Sequence, residues 1–348
     1  MRMTFRWYGP SDRVTLRNIR QIPGVRGIVS AVYDVPVGEA WTRDSVSRLT
    51  DSIDNAGLSL QVVESIPVHE HIKLGAVDRD RYIEAWCESL RQVGEAGVPV
   101  VCYNFMPIFD WMRTDLAHPM ADGSTTLTYS DEELARFDLT RGTGELPGWS
   151  TAYDAATLGA LLDAWKAVNA EQLWEHLAYF LERVVPVADE VNVKLAIHPD
   201  DPPWSIFGLP RVITDGDALR RFLSLVDHPA NGLTFCTGSL GALAKNDLPA
   251  LVDEFAARGR IHFMHCRNVK RRDTATSRAF DEVPHPSEFG DVDMRGVLSA
   301  LARHDYTGPM RPDHGRMIWG EEGRAGYGLH DRALGAMYLQ GLWEGVRS

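Results

Sequence analysis

The stretch VKLAIHPD, residues 193–200, climbs through a short apolar run and stops on His198, with Asp200, Asp201 and two prolines close behind. A run of this length bounded by turn residues reads as a strand buried on both faces, the kind found in parallel sheets. Working outward, seven further runs share its character: TFRWYG (4–9), GIVSAVYD (27–34), LSLQVVES (58–65), VPVVCYNF (98–105), GLTFCTGS (232–239), RIHFMHCRNV (260–269) and GPMRPDHG (308–315). Helical patterns lie between them at 43–57, 79–97, 215–227, 247–259 and 293–305, several opening on Asp and closing on Gly, the asymmetry of helix caps.

Eight strand–helix repeats with mostly short connections point to an α/β chain folded as a single (β/α)8 TIM barrel. An open doubly wound sheet has fewer strands and a glycine-rich first turn, and neither a GxGxxG nor a P-loop pattern occurs. A length of 348 residues suits one catalytic domain over 1–348. The rhythm breaks at 109–157, rich in Asp, Gly, Ser and Thr, after the fourth strand. This stretch reads as an insertion over or beside the active-site face, a lid or an oligomer contact, with plain surface elaboration as the competing reading. A helical run from Leu158 to Asn192 returns the chain to the strand quoted first.

Composition excludes several roles. A formal net charge of −12 repels a phosphate backbone, so nucleic acid is not an expected partner. No apolar run approaches the roughly 18–20 residues of a membrane span. The opening MRMTFRWYGPSD lacks the apolar core and cleavage site of a secretory signal, so a soluble, cytoplasmic protein is expected. The four cysteines, Cys87, Cys102, Cys236 and Cys266, stand far apart with no CxxC pair, which argues for reduced thiols.

In a barrel, a polar residue at the carboxyl end of a strand faces the common mouth. His198 then shares that rim with Cys236 of FCTGS, His265 and Arg267 of FMHCRN, and Asp313 and His314 of RPDHG. Imidazole, thiol and carboxylate groups on four consecutive strand ends form a mixed donor set for a divalent metal such as Mn, Fe, Co or Zn. Each residue alone has a plainer explanation, since a cysteine in an apolar strand is ordinarily a small hydrophobe. The coincidence of four donors carries the metal reading. Alternation puts Phe263, His265 and Arg267 on one face and His262, Met264 and Cys266 on the other, so His265 is the expected ligand and His262 a core histidine. Asp201 is read as capping the next turn. Of the adjacent Asp313 and His314, one binds metal while the other reaches substrate. Tyr327, between Gly326 and Gly328, either brings its phenol over the mouth or packs the last helix. Trp7, Tyr8 and Asn104 at strand ends suit a pocket for a polyhydroxylated ligand, with core packing an equal alternative for Trp7.

The motifs HPDDPPWSIFGLPR (198–211), GLTFCTGSLGA (232–242), IHFMHCRNV (261–269) and MRPDHG (310–315) together resemble the mannonate dehydratase family. The residues FRWYGPSDRVTLRNIRQIPGVRGIVSAVYDVPVGEAW (5–41) and VVESIPVHEHIKLG (62–75) extend the likeness to essentially the whole chain. The resemblance implies a barrel enzyme of glucuronate catabolism that dehydrates D-mannonate to 2-dehydro-3-deoxy-D-gluconate with Mn2+ or Fe2+. It implies His198, Cys236, His265 and Asp313 as metal ligands and His314 and Tyr327 as acid/base groups, their two roles unassigned. Cys266 stands where the family often has Leu, and Ala325 where it often has Pro. Arg267 is expected to add positive charge opposite the enediolate-like charge that builds as the C2 proton leaves. Two other classes stay open: a metal-dependent sugar isomerase or epimerase, which ordinarily uses more carboxylates than this rim offers, and a non-catalytic barrel that binds a sugar acid. A homodimer completes the expectations.

Overall fold

Parallel neighbours need a crossover that carries the chain back along the sheet, and a helix supplies it. In the computed structural model, which describes residues 1–137 and 154–347, each of the eight apolar runs forms a strand, and the eight pair in parallel into a closed barrel. The barrel strands are β1 (Arg2–Arg6), β2 (Gly27–Ser30), β3 (Ser59–Glu64), β4 (Val100–Tyr103), β7 (Lys194–Ile197), β8 (Asn231–Cys236), β9 (Ile261–Cys266) and β12 (Pro309–Pro312). A separate antiparallel sheet holds β5 (Asp115–Pro119), β6 (Thr125–Ser130), β10 (Asn268–Arg271) and β11 (Ala279–Val283), in the order β10-β11-β6-β5. Barrel strands follow one another in chain order, and β1 closes the ring by pairing with both β2 and β12.

The described helices are α1 (Leu16–Arg20), α2 (Arg43–Asn55), α3 (Glu70–Lys73), α4 (Arg79–Glu95), α5 (Asp131–Leu134), α6 (Ala155–Trp165), α7 (Ala170–Glu190), α8 (Gly216–Leu225), α9 (Thr237–Gly241), α10 (Leu248–Ala257), α11 (Met294–Arg303) and α12 (His330–Arg347). Their starts are set chemically. Thr42, Asp215, Asp247 and Asp293 each accept a hydrogen bond from the backbone N–H three residues on, satisfying a donor that the helix end leaves open. Apolar stripes such as Leu219, Phe222 and Leu223 of α8 then pack onto the barrel.

Inside the ring, Val29, Val62, Val100, Cys102, Ala196 and Phe263 form a small core of their own, distinct from the larger one between strands and helices. Small and β-branched residues dominate because side chains from opposite strands meet in a narrow interior. Thr234 closes this layer, its hydroxyl hydrogen-bonding Ala196 O at 3.1 Å.

Three features differ from the sequence reading. The run at 158–192 is two helices, because Asn169 caps α7 in a capping box with Gln172. The 109–157 stretch contributes β5, β6 and α5, while its residues 138–153 lie outside the described residues. Residues 268–283 form a hairpin, β10 and β11, rather than a plain connection; β6 pairs with the far edge of β11, and within β10 only Asn268 and Val269 are buried.

The fully buried ring of Phe235 on β8 fills the strand–helix layer. Replacing it by Ala is expected to lower the free energy of unfolding by about 3–5 kcal/mol, seen as a lower urea midpoint.

Candidate functional site

Side chains on a strand alternate faces, so two residues beyond the inner core each barrel strand points into the mouth. Ala196 is followed by His198, Thr234 by Cys236, Phe263 by His265 and Arg311 by Asp313. The four converge. His198 Nε2 stands 3.2 Å from His265 Nδ1, which is 3.5 Å from Asp313 Oδ1, and Cys236 Sγ is 3.7 Å from Asp313 Oδ2. The donor atoms of His198, Cys236 and His265 all lie within 4.8 Å of one another. Ligands about 2.0–2.3 Å from one ion stand roughly 3–4.5 Å apart, so the set fits a single divalent metal.

Local bonding agrees with that fit. His198 Nδ1 lies 2.6 Å from Pro199 O, where it donates its proton and leaves the Nε2 lone pair facing its neighbours. Asp313 Oδ1 is buried without an aligned hydrogen bond, although the Arg311 guanidinium is 2.7 Å away. Cys236 Sγ receives the Ser239 backbone N–H at 3.4 Å and the Ser239 hydroxyl at 3.2 Å.

A cavity of about 200 Å³ opens at these strand ends, with His198, Arg267, Asp313, His314, Tyr327, Tyr8 and Asn104 on its wall. Trp7 is not among them: it is buried in the core between strands and helices, because alternation turns it outward while Arg6 and Tyr8 face the mouth.

Asp201 departs from its expected turn-capping role. Its carboxylate accepts from Arg113 Nη1 at 2.7 Å, Arg267 Nη2 at 2.6 Å and Ser239 Oγ at 3.0 Å. The turn is capped by Asp200, which takes the N–H groups of Val212 and Ile213 at 2.6 and 2.8 Å. Burial on its own would raise the Asp201 carboxyl, but Arg113 and Arg267 hold it well below the usual range. Arg267 also reaches Glu282 Oε1 at 3.0 Å, so its guanidinium donates to protein carboxylates rather than into open cavity. Gly238 allows this approach: a Cβ there would stand 1.9 Å from Arg267 Nε. Glu282 accepts from Arg113 Nη2 at 2.6 Å; against the raising effect of burial, His314, Arg267 and Arg113 bring its carboxyl down to about 2. Across the mouth, Glu64 lies 3.0 Å from both Arg6 and Arg311.

His314 and Tyr327 meet on the wall. His314 Nε2 is 2.9 Å from Tyr327 Oη, and its Nδ1 is 2.8 Å from Glu282 Oε2. Tyr327 is brought in by Gly326, which has φ +77° and whose Cβ, if present, would stand 2.5 Å from Leu127 of β6. The ring of Tyr8 packs edge-on against Tyr327 at 4.9 Å. Burial is the main reason the Tyr327 phenol is pushed up from its ordinary 10.0, opposed by Arg311.

Glu64 and Arg311 were readable in principle, since each sits two residues from an inward neighbour on its strand. Glu282, Arg113 and Asp201 carried no such signal; they reach the mouth from the second sheet and from a loop. His262, by contrast, is a core histidine, with Nδ1 2.7 Å from Leu195 O and burial lowering it to about 4.

A sequence profile of the D-mannonate dehydratase (UxuA) family matches residues 1–348. The chain is 54% identical over 348 residues to mannonate dehydratase 2 of Halalkalibacterium halodurans, covering 100% of both chains. It is 49% identical over 346 residues to a mannonate dehydratase of Streptococcus uberis, covering 99% of each. The crystal structure of mannonate dehydratase from Streptococcus suis serotype 2 superposes with a TM-score of 0.92 at 48% identity, covering 99% of this chain and 95% of that one.

The depressed carboxyl of Glu282 sets an acid limit. Its contribution to stability is complete above its ordinary value of 4.5 and is lost as pH falls toward about 2. The urea midpoint should therefore decline across that window, and Glu282→Gln should start lower at neutral pH but decline less steeply.

Proposed function

The chain belongs to the D-mannonate dehydratase family of carbon–oxygen hydro-lyases, and we propose that it converts D-mannonate to 2-dehydro-3-deoxy-D-gluconate and water, with a divalent metal ion held by His198, Cys236, His265 and Asp313. The observation that carries this reading is the convergence of His198, Cys236 and His265, with Asp313 at 3.5 Å from His265 and 3.7 Å from Cys236, beside an imidazole and a phenol 2.9 Å apart. Membership favours dehydration over the isomerase, epimerase and non-catalytic readings of the same barrel. The mixed nitrogen, sulfur and oxygen donors suit a first-row ion, for which we take Mn(II) or Fe(II). Bound there, such an ion supplies positive charge against the negative charge that develops next to the substrate carboxylate.

Dehydration removes the C2 proton, forms the C2–C3 double bond and expels the C3 hydroxyl, which leaves as water once protonated; the resulting enol becomes the 2-keto acid. His314 and Tyr327 are the proton carriers in this reading. The Tyr327 phenol, ordinarily protonated at neutral pH and pushed further up by burial, holds the proton that would go to the departing hydroxyl. His314 Nε2 then takes the C2 proton. Arg267, anchored by Asp201 and Glu282, adds fixed positive charge beside the reacting atoms. Asn104 and Tyr8 offer an amide and a phenol to sugar hydroxyls.

We assign the whole chain to one catalytic barrel unit. In it the 109–157 insertion helps to cover the active-site face, a reading supported by Asp110 and Trp111 on the cavity wall. Among the described residues no helix is long and apolar enough to cross a membrane, and a homodimer in the cytoplasm is the working state we infer.

Metal-stripped protein reconstituted with Mn(II) or Fe(II) should regain formation of a 2-keto-3-deoxy acid from D-mannonate. Stoichiometric metal binding without product, whatever the ion, would discard the substrate. In the loaded enzyme, His314→Asn and Tyr327→Phe should each keep the metal and lose about 10²–10⁴-fold in kcat; near-normal turnover in either removes that residue from the chemistry.

A further inference from the structure

Glu282 stands on β11, in the second sheet, and has no place among the barrel strand ends. Three atoms face Nδ1 of His314: Glu282 Oε2 at 2.8 Å, Glu282 Oε1 at 3.0 Å and Arg267 Nη1 at 3.0 Å. A carboxylate only accepts hydrogen bonds, so the 2.8 Å contact requires a proton on Nδ1, whereas an arginine N–H pointing at Nδ1 would require a lone pair there. Geometry decides between them. Arg267 Nη1 has Glu282 Oε1 as an acceptor at 3.0 Å, and Arg113 donates to the same carboxylate at 2.6 and 2.9 Å. The two guanidiniums keep Glu282 anionic, and Arg267 and His314 converge on it as donors.

We propose that Glu282 is the positioning residue of the His314–Tyr327 pair: its carboxylate holds the imidazole with the proton on Nδ1 and turns the Nε2 lone pair toward Tyr327 Oη and the reacting carbon. The inference rests on the reading of His314 as the proton acceptor in the dehydration. Its corollary is that the second sheet belongs to the catalytic apparatus. Without the carboxylate, Arg267 Nη1 becomes the nearest polar neighbour of Nδ1; being a permanent donor it draws the lone pair there and moves the proton to Nε2, the tautomer that cannot accept one.

The test uses the metal-loaded enzyme with Glu282→Gln and Glu282→Ala, beside His314→Asn. In Glu282→Gln, kcat is expected to fall about 10²–10⁴-fold while KM for D-mannonate stays within about threefold and metal content is unchanged. In Glu282→Ala, added formate should restore kcat by about tenfold or more in a saturable manner, because a free carboxylate can sit between Arg113 and Arg267; neutral formamide should not. A kcat within about threefold of wild type in folded, metal-replete Glu282→Gln overturns the inference, as does equal rescue by formamide, which would mark a space-filling role. If Glu282→Gln is active while His314→Asn is dead, only the role of Glu282 falls. If His314→Asn itself turns over normally, the underlying assignment of His314 falls and takes this one with it.

Discussion

Two guanidiniums buried between two carboxylates hold the working end of this molecule together. Arg113 and Arg267 lie between Asp201 and Glu282, and all four side chains are almost wholly enclosed. Taking such charges out of water is costly, and the arrangement survives because every charge meets an opposite one at hydrogen-bond distance. Removing one partner of a buried pair typically costs about 3–5 kcal/mol, since its mate is left uncompensated. The network also fixes relative position. It joins the loop after β7, the end of β9, the segment leading into β5 and the face of β11.

That junction gives the mouth its chemistry. On one side the proposed metal ligands hang from strand ends whose spacing is set by the barrel's own hydrogen bonds, so His198, Cys236, His265 and Asp313 meet without help from loops. On the other side the pair proposed to carry protons depends on longer reaches. His314 directly follows Asp313, but Tyr327 arrives through the turn at Gly326, and the partner of His314 Nδ1 comes from the second sheet. Arg267 sits between the two halves, within 3.7 Å of Cys236 Sγ and 3.0 Å of His314 Nδ1. A rigid ring therefore positions the proposed ligand set, and a buried ion-pair network aligns the proposed acid/base pair against it.

Much of this was legible from residue pattern. The eight apolar runs, their helical partners and the four donors follow from two local rules: the period-two alternation of strands and the convergence of parallel strand ends in a closed barrel. The same alternation separates His265 from His262, one at the mouth and the other bonded to Leu195 O in the wall. It also turns Trp7 into the core, a consequence that its place at a strand end masked. Asp201 was misread for a different cause. Two adjacent aspartates before two prolines both suit a turn, and only the arrival of Arg113 and Arg267 tells which of them is needed elsewhere.

The sequence by itself determined the barrel, its eight strands and the identity of the side chains on the rim, because those depend on hydrophobic period and chain order, which are local quantities. Tertiary structure alone decided that β6 would pair with a hairpin more than a hundred residues away, that Glu282 would face His314, and that Asp201 would answer two arginines. The two arginine contacts of Asp201 span 66 and 88 positions, and His314 and Glu282 are 32 apart, one just beyond β12 and the other on β11. No local pattern encodes such pairings: buried charge must be matched by opposite charge, and which residue meets that demand is settled only when the chain has closed around it.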